Sequence, residues 1–159
     1  MEPQGSRWNG IIDTRSGAMR VGLCWSGNPK HRNDRNRSMP FSALTGLFDE
    51  PGTVFYSLQK DARPDDRHAG LIDLSPHLTD MRKTAHAISR LDLVITVDTA
   101  VAHLAASLGT ETWILLPHVA EWRWGKEGST TPWYPSVQLF RQPAKGDWRS
   151  VIRQVRAQL

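Results

Sequence analysis

The 159-residue sequence has one cysteine and no apolar run near the roughly 20 residues that cross a bilayer. The single cysteine, Cys24, excludes an intrachain disulfide, and its apolar neighbours predict a small buried strand residue rather than a reactive thiol. Residues 1–17 are polar and lack the apolar core of a secretory signal peptide. These absences predict a cytoplasmic protein without a membrane span.

Several motifs of catalysis and cofactor binding are also missing. The sequence contains neither the Gly-x-Gly-x-x-Gly fingerprint nor a P-loop, which disfavours NAD, FAD and P-loop nucleotide sites. It contains no Gly-x-Ser-x-Gly nucleophile elbow. No second His or Cys stands at metal-ligand spacing from His103, so we expect no structural metal site and no metal cofactor.

The sequence does contain apolar β-forming runs that alternate with helical patterns. The predicted strands are Arg20–Trp25, Thr53–Leu58, Leu71–Leu74, Asp92–Val97, Glu111–Leu116 and Val137–Phe140. Right-handed crossovers then predict an α/β fold, a Rossmann-like three-layer αβα domain with a six-stranded parallel sheet. The expected strand order, 3-2-1-4-5-6, reverses between strands 1 and 4, and ligands bind beyond the carboxyl ends of strands at such a switch point.

Helical patterns and caps complete the predicted domain. Helices are expected after Pro40, over Thr79–Leu91, over Thr99–Leu108, and after a cap at Asp147. We expect residues 18–159 to form one domain, and residues 1–17 to be a poorly structured leader or linker remnant.

An acid and a hydroxyl, Asp98 and Thr99, stand where the most apolar strand meets a helix of small residues. The free N–H groups at such a helix start, which Ala100 continues, bind anions. Two interpretations stay open: the pair caps the helix, or the helix start and Thr99 hold a diphosphate while Asp98 binds sugar hydroxyls. His103 lies one turn later, and two roles are considered for its side chain: packing of the helix and contact with a ligand.

The loop after the first strand is expected at the same edge of the sheet. Ser26, Gly27 and Asn28 allow the backbone to approach an anion. Five basic residues follow within a span of eight, namely Lys30, His31, Arg32, Arg35 and Arg37. This basic loop 30–37 fits a phosphate clamp, a nucleic-acid contact or a solvated surface.

A second unusual segment, residues 117–135, is rich in aromatic residues. It contains Trp122, Trp124, Trp133 and Tyr134 outside any predicted helix or strand. Packing is the usual role of tryptophan, but a lid, a carbohydrate platform or an interface with a partner domain also fits this composition.

Taken in order, these residues resemble a known family over residues 18–159. The motifs that carry the resemblance are Val21–Pro29 with Asn36–Pro40, Ser57–Lys60, Val97–Ala105, Trp122–Trp124, Trp133–Ser136, and Leu139–Pro143 with Gly146–Trp148. They are similar to the C-terminal domain of heptosyltransferase-like glycosyltransferases. The likeness extends to the family 9-like domain that ends many bacterial tetratricopeptide-repeat proteins.

The resemblance implies one half of a two-domain GT-B fold, the half that binds the nucleotide-sugar donor. It places Arg37 at a basic position that binds donor phosphate, Asp98 at an acid that contacts the sugar, and Thr99 with its neighbours at the diphosphate. Gln59 falls near an acidic residue that contacts ribose, and Met81 near the region that borders the base.

The implied function is donor binding in an inverting glycosyltransferase that transfers a hexosyl or heptosyl group. The family's acceptor site and general base belong to the other half, so we expect no catalytic residue in this chain and no efficient activity for it alone. The alternative is a non-catalytic interaction domain. It would bind a protein through the aromatic segment 117–135 or, less favoured, nucleic acid through the basic loop 30–37.

Overall fold

The computed structural model of the protein describes Trp8 and residues 10–159. One six-stranded sheet lies between two layers of helices. The strands are β1 (Met19–Cys24), β2 (Thr53–Ser57), β3 (Leu71–Asp73), β4 (Leu93–Val97), β5 (Glu111–Leu116) and β6 (Val137–Arg141). The α-helices are α1 (Asp34–Arg37), α2 (Met81–Ile88), α3 (Ala100–Ser107) and α4 (Trp148–Arg156). Three 3-10 helices span Phe41–Leu47, Ser75–His77 and Trp122–Trp124.

All neighbouring strands pair in parallel, in the order β3-β2-β1-β4-β5-β6. The predicted α/β class and strand order are therefore confirmed. Every residue of β4 is buried, as a central parallel strand with both faces covered requires. Leu93, Ile95 and Val97 belong to the core on one face, whereas Val94 belongs to the core on the other.

The first face of the sheet is covered by α4 and by the 3-10 helix Phe41–Leu47. The helix expected after Pro40 thus forms, as a 3-10 helix. Its buried residues Phe41, Leu44 and Leu47 recur every third position, which is the period of a 3-10 helix, so one narrow side meets the sheet.

The second face is covered by α2 and α3. Ala102 and Ala105 of α3 are fully buried, and their small side chains let this helix lie close to the sheet. The helix predicted over Thr79–Leu91 is shorter in the structure, since it spans Met81–Ile88. The Asp80 carboxylate sets its start by accepting a hydrogen bond from Lys83 N at 2.8 Å.

The start of the chain also contributes to this second face. Residues 1–7 and 9, part of the expected leader, lie outside the described residues. Trp8 and Ile12 are 4% and 0% exposed, in the same core as Tyr56 and Leu58. No helix in the described part of the chain has the length and apolar character needed to cross a membrane.

Candidate functional site

The switch point of the sheet lies between β1 and β4, where the loops after these strands meet. The Arg37 guanidinium joins the two loops, since its Nη1 donates to the Asp98 carbonyl oxygen at 3.1 Å. A basic residue from the first loop is thereby held directly beside the start of α3. The topology predicted this meeting of the two loops.

Arg37 is held in place by residues of its own loop. Its Nε donates to Asp34 Oδ1 at 3.3 Å, and Ser38 Oγ donates to the same oxygen at 2.8 Å. Gly27 N donates to Ser38 Oγ at 2.9 Å. A Cβ at Gly27 would lie 2.5 Å from Arg37 Nη2, so the glycine provides the space that the guanidinium occupies.

The basic loop 30–37 does not form one patch. Only 15% of the Arg37 side chain is exposed, and it points to the switch point. Its four basic companions, Lys30, His31, Arg32 and Arg35, are exposed. Arg37 is therefore distinguished from them as the basic residue placed at the sheet edge near Asp98.

The start of α3 has no side-chain cap. Thr99 occupies the N-cap position, but its side chain makes no capping hydrogen bond. Its Oγ1 instead lies 3.1 Å from Thr96 Oγ1 and 3.9 Å from Cys24 Sγ. The first-turn amides, beginning with exposed Ala100, thus receive no acceptor from the N-cap side chain.

Asp98 and His103 face each other at this helix start. Asp98 is 8% exposed, and its Oδ1 lies 3.7 Å from His103 Nε2. Arg123 Nη1 lies 3.3 Å from the same Nε2; because a guanidinium only donates, Nε2 accepts this bond. His103 Nδ1 then carries the proton and donates to Tyr134 Oη at 3.0 Å. The hydrogen bonds therefore assign a neutral imidazole beside Asp98.

The aromatic segment 117–135 is divided between the core and the surface. Trp124 is 2% exposed and stacks on the His103 ring at 5.4 Å between ring centroids. Trp122 and Trp133 are 78% and 59% exposed. The Arg141 guanidinium holds the segment by donating to the carbonyl oxygens of Trp124, Gly125 and Gly128. The segment therefore both positions His103 and presents two indole rings outward.

Gln59 stabilises the start of the loop after β1. Its side chain is buried, and its Oε1 accepts from Trp25 N at 3.1 Å and from Ser26 N at 2.9 Å. Cys24 Sγ lies 3.5 Å from the same oxygen. Cys24 is buried, as predicted, and burial raises the pKa of its thiol to about 11, which favours the protonated form at neutral pH.

The remaining predicted residues are more peripheral. Asn28 is exposed, and its Oδ1 accepts from Lys30 N at 2.9 Å within the turn. Met81 begins α2 and is 56% exposed. The structure thus brings Gly27, Arg37 and Asp98–Thr99 together with His103, whereas Met81 lies at the start of a different helix.

Sequence reasoning missed the residues that position this cluster. Asp34 and Ser38 fix Arg37, and Tyr134 and Arg123 fix His103. Arg123 lies between two tryptophans, but no pattern in the sequence indicates which side chain it contacts. Within Trp8 and residues 10–159, no group of three or more His, Cys, Asp or Glu side chains is arranged to hold a metal ion.

Comparison with known proteins identifies the family of this chain. The model of glycosyltransferase family 9 (heptosyltransferase) matches residues 59–153, more than half of the chain. The match includes β4, Asp98–Thr99 and α3, whereas the loop that carries Arg37 lies before it. Protein FlbA of Caulobacter vibrioides is 26% identical over 170 aligned positions, which cover 98% of this chain and 28% of FlbA.

Two solved Escherichia coli structures share the fold. ADP-heptose lps heptosyltransferase II superposes with a TM-score of 0.58 at 15% identity. The superposition covers 99% of this chain and 52% of the heptosyltransferase II chain. Heptosyltransferase WaaC with ADP-2-deoxy-2-fluoro heptose superposes with a TM-score of 0.61 at 16% identity. The superposition covers 99% of this chain and 50% of the WaaC chain. The chain therefore spans about half the length of these structures.

Proposed function

The chain belongs to glycosyltransferase family 9, the heptosyltransferase family, and we propose that it binds the nucleotide-diphosphate-sugar donor at the switch point between β1 and β4. The observation that carries the proposal is the start of α3, which has no side-chain cap and has Arg37 beside it. Uncapped amides and a guanidinium together suit a diphosphate, because both supply hydrogen-bond donors and positive charge.

Asp98 suits the sugar rather than the phosphates. Two anionic groups in contact would repel each other, whereas a carboxylate accepts hydrogen bonds well from sugar hydroxyls. His103 is neutral and held by Tyr134 and Arg123, so it lies beside the carboxylate without neutralising it. The aromatic segment 117–135 thus shapes the sugar end of the proposed site through His103.

The reaction that this site supports is glycosyl transfer with a nucleoside diphosphate as leaving group. Arg37 and the α3 amides would stabilise the negative charge that develops on the diphosphate as the anomeric bond breaks. Asp98 would orient the sugar for attack by an acceptor hydroxyl from the opposite side. We expect the 159 residues alone to bind donor without efficient transfer, because they correspond to about half of each heptosyltransferase structure.

Isothermal titration calorimetry with nucleoside diphosphates and nucleotide sugars tests this proposal. We expect saturable binding of at least one nucleotide sugar to the purified chain. Thr99→Glu should abolish detectable binding, because it places a like charge against the phosphates. Ser107→Glu provides a matched control with the same added charge at the exposed far end of α3, and it should bind as the native chain does.

The competing function is an interaction domain, and the exposed indoles of Trp122 and Trp133 favour a protein surface at the aromatic segment. The proposed donor site is refuted if no nucleotide or nucleotide sugar binds at millimolar concentration. Binding of RNA with a steep dependence on salt, in place of nucleotide binding, would assign the basic loop 30–37 to nucleic acid instead.

A further inference from the structure

The side chain of Thr99 is turned away from the helix that it precedes. Its backbone is extended, with φ −141° and ψ 173°, which is the usual conformation of an N-cap residue. Asp80 has nearly the same conformation before α2, with φ −150° and ψ 168°, and its carboxylate accepts from Lys83 N. The backbone of Thr99 is therefore suited to a cap, and only the direction of its side chain prevents one.

The first two amides of α3 are left without an acceptor. Ala102 N and His103 N donate to the Thr99 carbonyl oxygen at 3.0 and 3.4 Å. Ala100 N and Val101 N make no hydrogen bond within the described residues. A capping side chain accepts from the second or third amide of its helix, and the third, Ala102 N, is already bonded. Val101 N is therefore the donor that a Thr99 cap would occupy.

The hydrogen bonds of Thr96 show what holds the Thr99 side chain. Thr96 Oγ1 donates to the Val97 carbonyl oxygen at 2.8 Å, because a carbonyl oxygen only accepts. A hydroxyl has one proton, so Thr96 Oγ1 is the acceptor in its 3.1 Å contact with Thr99 Oγ1. Thr99 thus donates its hydroxyl proton inward, to Thr96.

Thr96 acts from inside the protein and does not meet the ligand itself. It is 0% exposed within β4, every residue of which is buried. Thr99 Oγ1 also contacts Cys24 Sγ, at 3.9 Å. A thiol is a weak hydrogen-bond partner, so the hydroxyl of Thr96 is the group that determines where the Thr99 side chain points.

We propose that Thr96 is a positioning residue of the donor site, which keeps Thr99 from capping α3 and leaves Val101 N free for the diphosphate. This inference rests on the proposed function, because it takes the amides of α3 as the groups that bind the phosphates. It gives the Thr99 hydroxyl an internal bond, so the phosphates are held by the amides and by Arg37.

Thr96→Val tests this role, because valine keeps the β-branched shape and lacks the hydroxyl. Thr99 should then turn to cap α3 and compete with phosphate for Val101 N. We expect the affinity for a nucleoside diphosphate to fall about fivefold, the effect of one capping bond. Calorimetry measures it with whichever of ADP, GDP, CDP and UDP the native chain binds most tightly.

Two variants separate this hydrogen bond from general effects on the core. Thr96→Ser retains the hydroxyl and should restore the native affinity. Thr112→Val is the matched control, since Thr112 is also 0% exposed and its Oγ1 donates to the Thr110 carbonyl oxygen at 2.8 Å in the neighbouring strand β5. It should leave the affinity unchanged.

Hydrogen exchange followed in proton–nitrogen correlation spectra tests the cap without any ligand. In Thr96→Val the Val101 amide should exchange more slowly with water than in the native chain, because it has gained an acceptor. In Thr96→Ser it should exchange at the native rate. Slower exchange in Thr96→Val, together with no nucleotide binding by the native chain, would support the control of Thr99 by Thr96 and refute only the donor site.

The double variant Thr96→Val with Thr99→Ala removes the hydroxyl that would cap α3, so its affinity should rise above that of Thr96→Val. A further fall in affinity overturns the proposal, because the Thr99 hydroxyl would then contact the phosphates itself. Unchanged exchange of the Val101 amide in Thr96→Val overturns it as well. So does an equal loss of affinity in Thr96→Val and Thr112→Val, since the loss would then reflect the core and not the cap.

Discussion

The helices α2, α3 and α4 all start at the same edge of the sheet, but they start in two different ways. At α2 and α4 an aspartate caps the helix: Asp80 accepts from Lys83 N at 2.8 Å, and Asp147 accepts from Ser150 N at 3.0 Å. The bond from Lys83 N lowers the pKa of Asp80, and the bonds from Ser150 Oγ and Ser150 N lower the pKa of Asp147. At α3 the N-cap is Thr99, whose side chain makes no such bond.

Under the proposed function, one local motif serves stability at α2 and α4, and its absence leaves α3 free to bind a ligand. A capping carboxylate satisfies first-turn amides and complements the helix dipole, and both effects stabilise the folded chain. The same carboxylate would compete with an anionic ligand for the first-turn amides, and its negative charge would repel that ligand. The uncapped helix is the one at the switch point beside Arg37, which is where an anionic ligand is expected.

The strongest challenge to this comparison is to give α3 the cap that the other two helices have. Thr99→Asp should weaken nucleoside diphosphate binding about a hundredfold, because a carboxylate at the helix start opposes the phosphates at close range. The melting temperature should not fall, because aspartate is a better N-cap than threonine. Calorimetry and thermal unfolding of the same preparation measure both effects.

Thr99→Asn is the matched control, because asparagine caps as well as aspartate but adds no charge. It should lose less affinity than Thr99→Asp. If both variants bind nucleotide as tightly as the native chain, the amides of α3 do not hold the phosphates, and the comparison between the helices has no functional meaning.

Much of the fold follows from the sequence because its causes are local. Strand β5 has its predicted bounds, Glu111–Leu116, and the cap at Asp147 is at its predicted position, since apolar runs and capping residues act on their immediate neighbours. The strand order follows from the regular alternation of strands and helices. The 3-10 form of the helix Phe41–Leu47 was not predicted, although its buried residues are spaced three apart in the sequence.

The candidate site was predictable in place but not in its contacts. The topology brings the loop of Arg37 to Asp98, and the family resemblance distinguishes Arg37 from the four other basic residues of that loop. The space above Gly27 that its guanidinium occupies was not predictable from the sequence. The partner of His103 Nδ1 is Tyr134, which lies in an irregular segment without a periodic pattern. Such contacts depend on how distant loops pack, and a single sequence contains no periodic signal for them.

A smaller effect is expected from removing the cation beside α3. Arg37→Ala should weaken binding of a nucleoside diphosphate about tenfold and leave binding of the nucleoside unchanged, because one charge-assisted contact to phosphate is lost. Arg32→Ala removes an exposed arginine of the same loop and should have little effect. Equal losses of nucleoside and nucleoside diphosphate affinity in Arg37→Ala would contradict the phosphate role and leave the amides of α3 as the main determinant.

The smallest expected effect comes from the capped helices, where the change should alter stability and not binding. Asp147→Ala removes the acceptor for Ser150 N and should lower the melting temperature at pH 7, whereas nucleotide affinity stays constant. The hydrogen bonds from Ser150 lower the pKa of Asp147, so its contribution is present above the ordinary carboxyl pKa of about 4 and is lost as the pH falls through the lower folded value. The melting temperatures of the native chain and the variant should therefore converge once the pH lies below the lowered folded pKa of Asp147. Thr99→Ala removes no capping bond, so at pH 7 it should lower the melting temperature less than Asp147→Ala does; an equal loss would contradict the distinction between the helices.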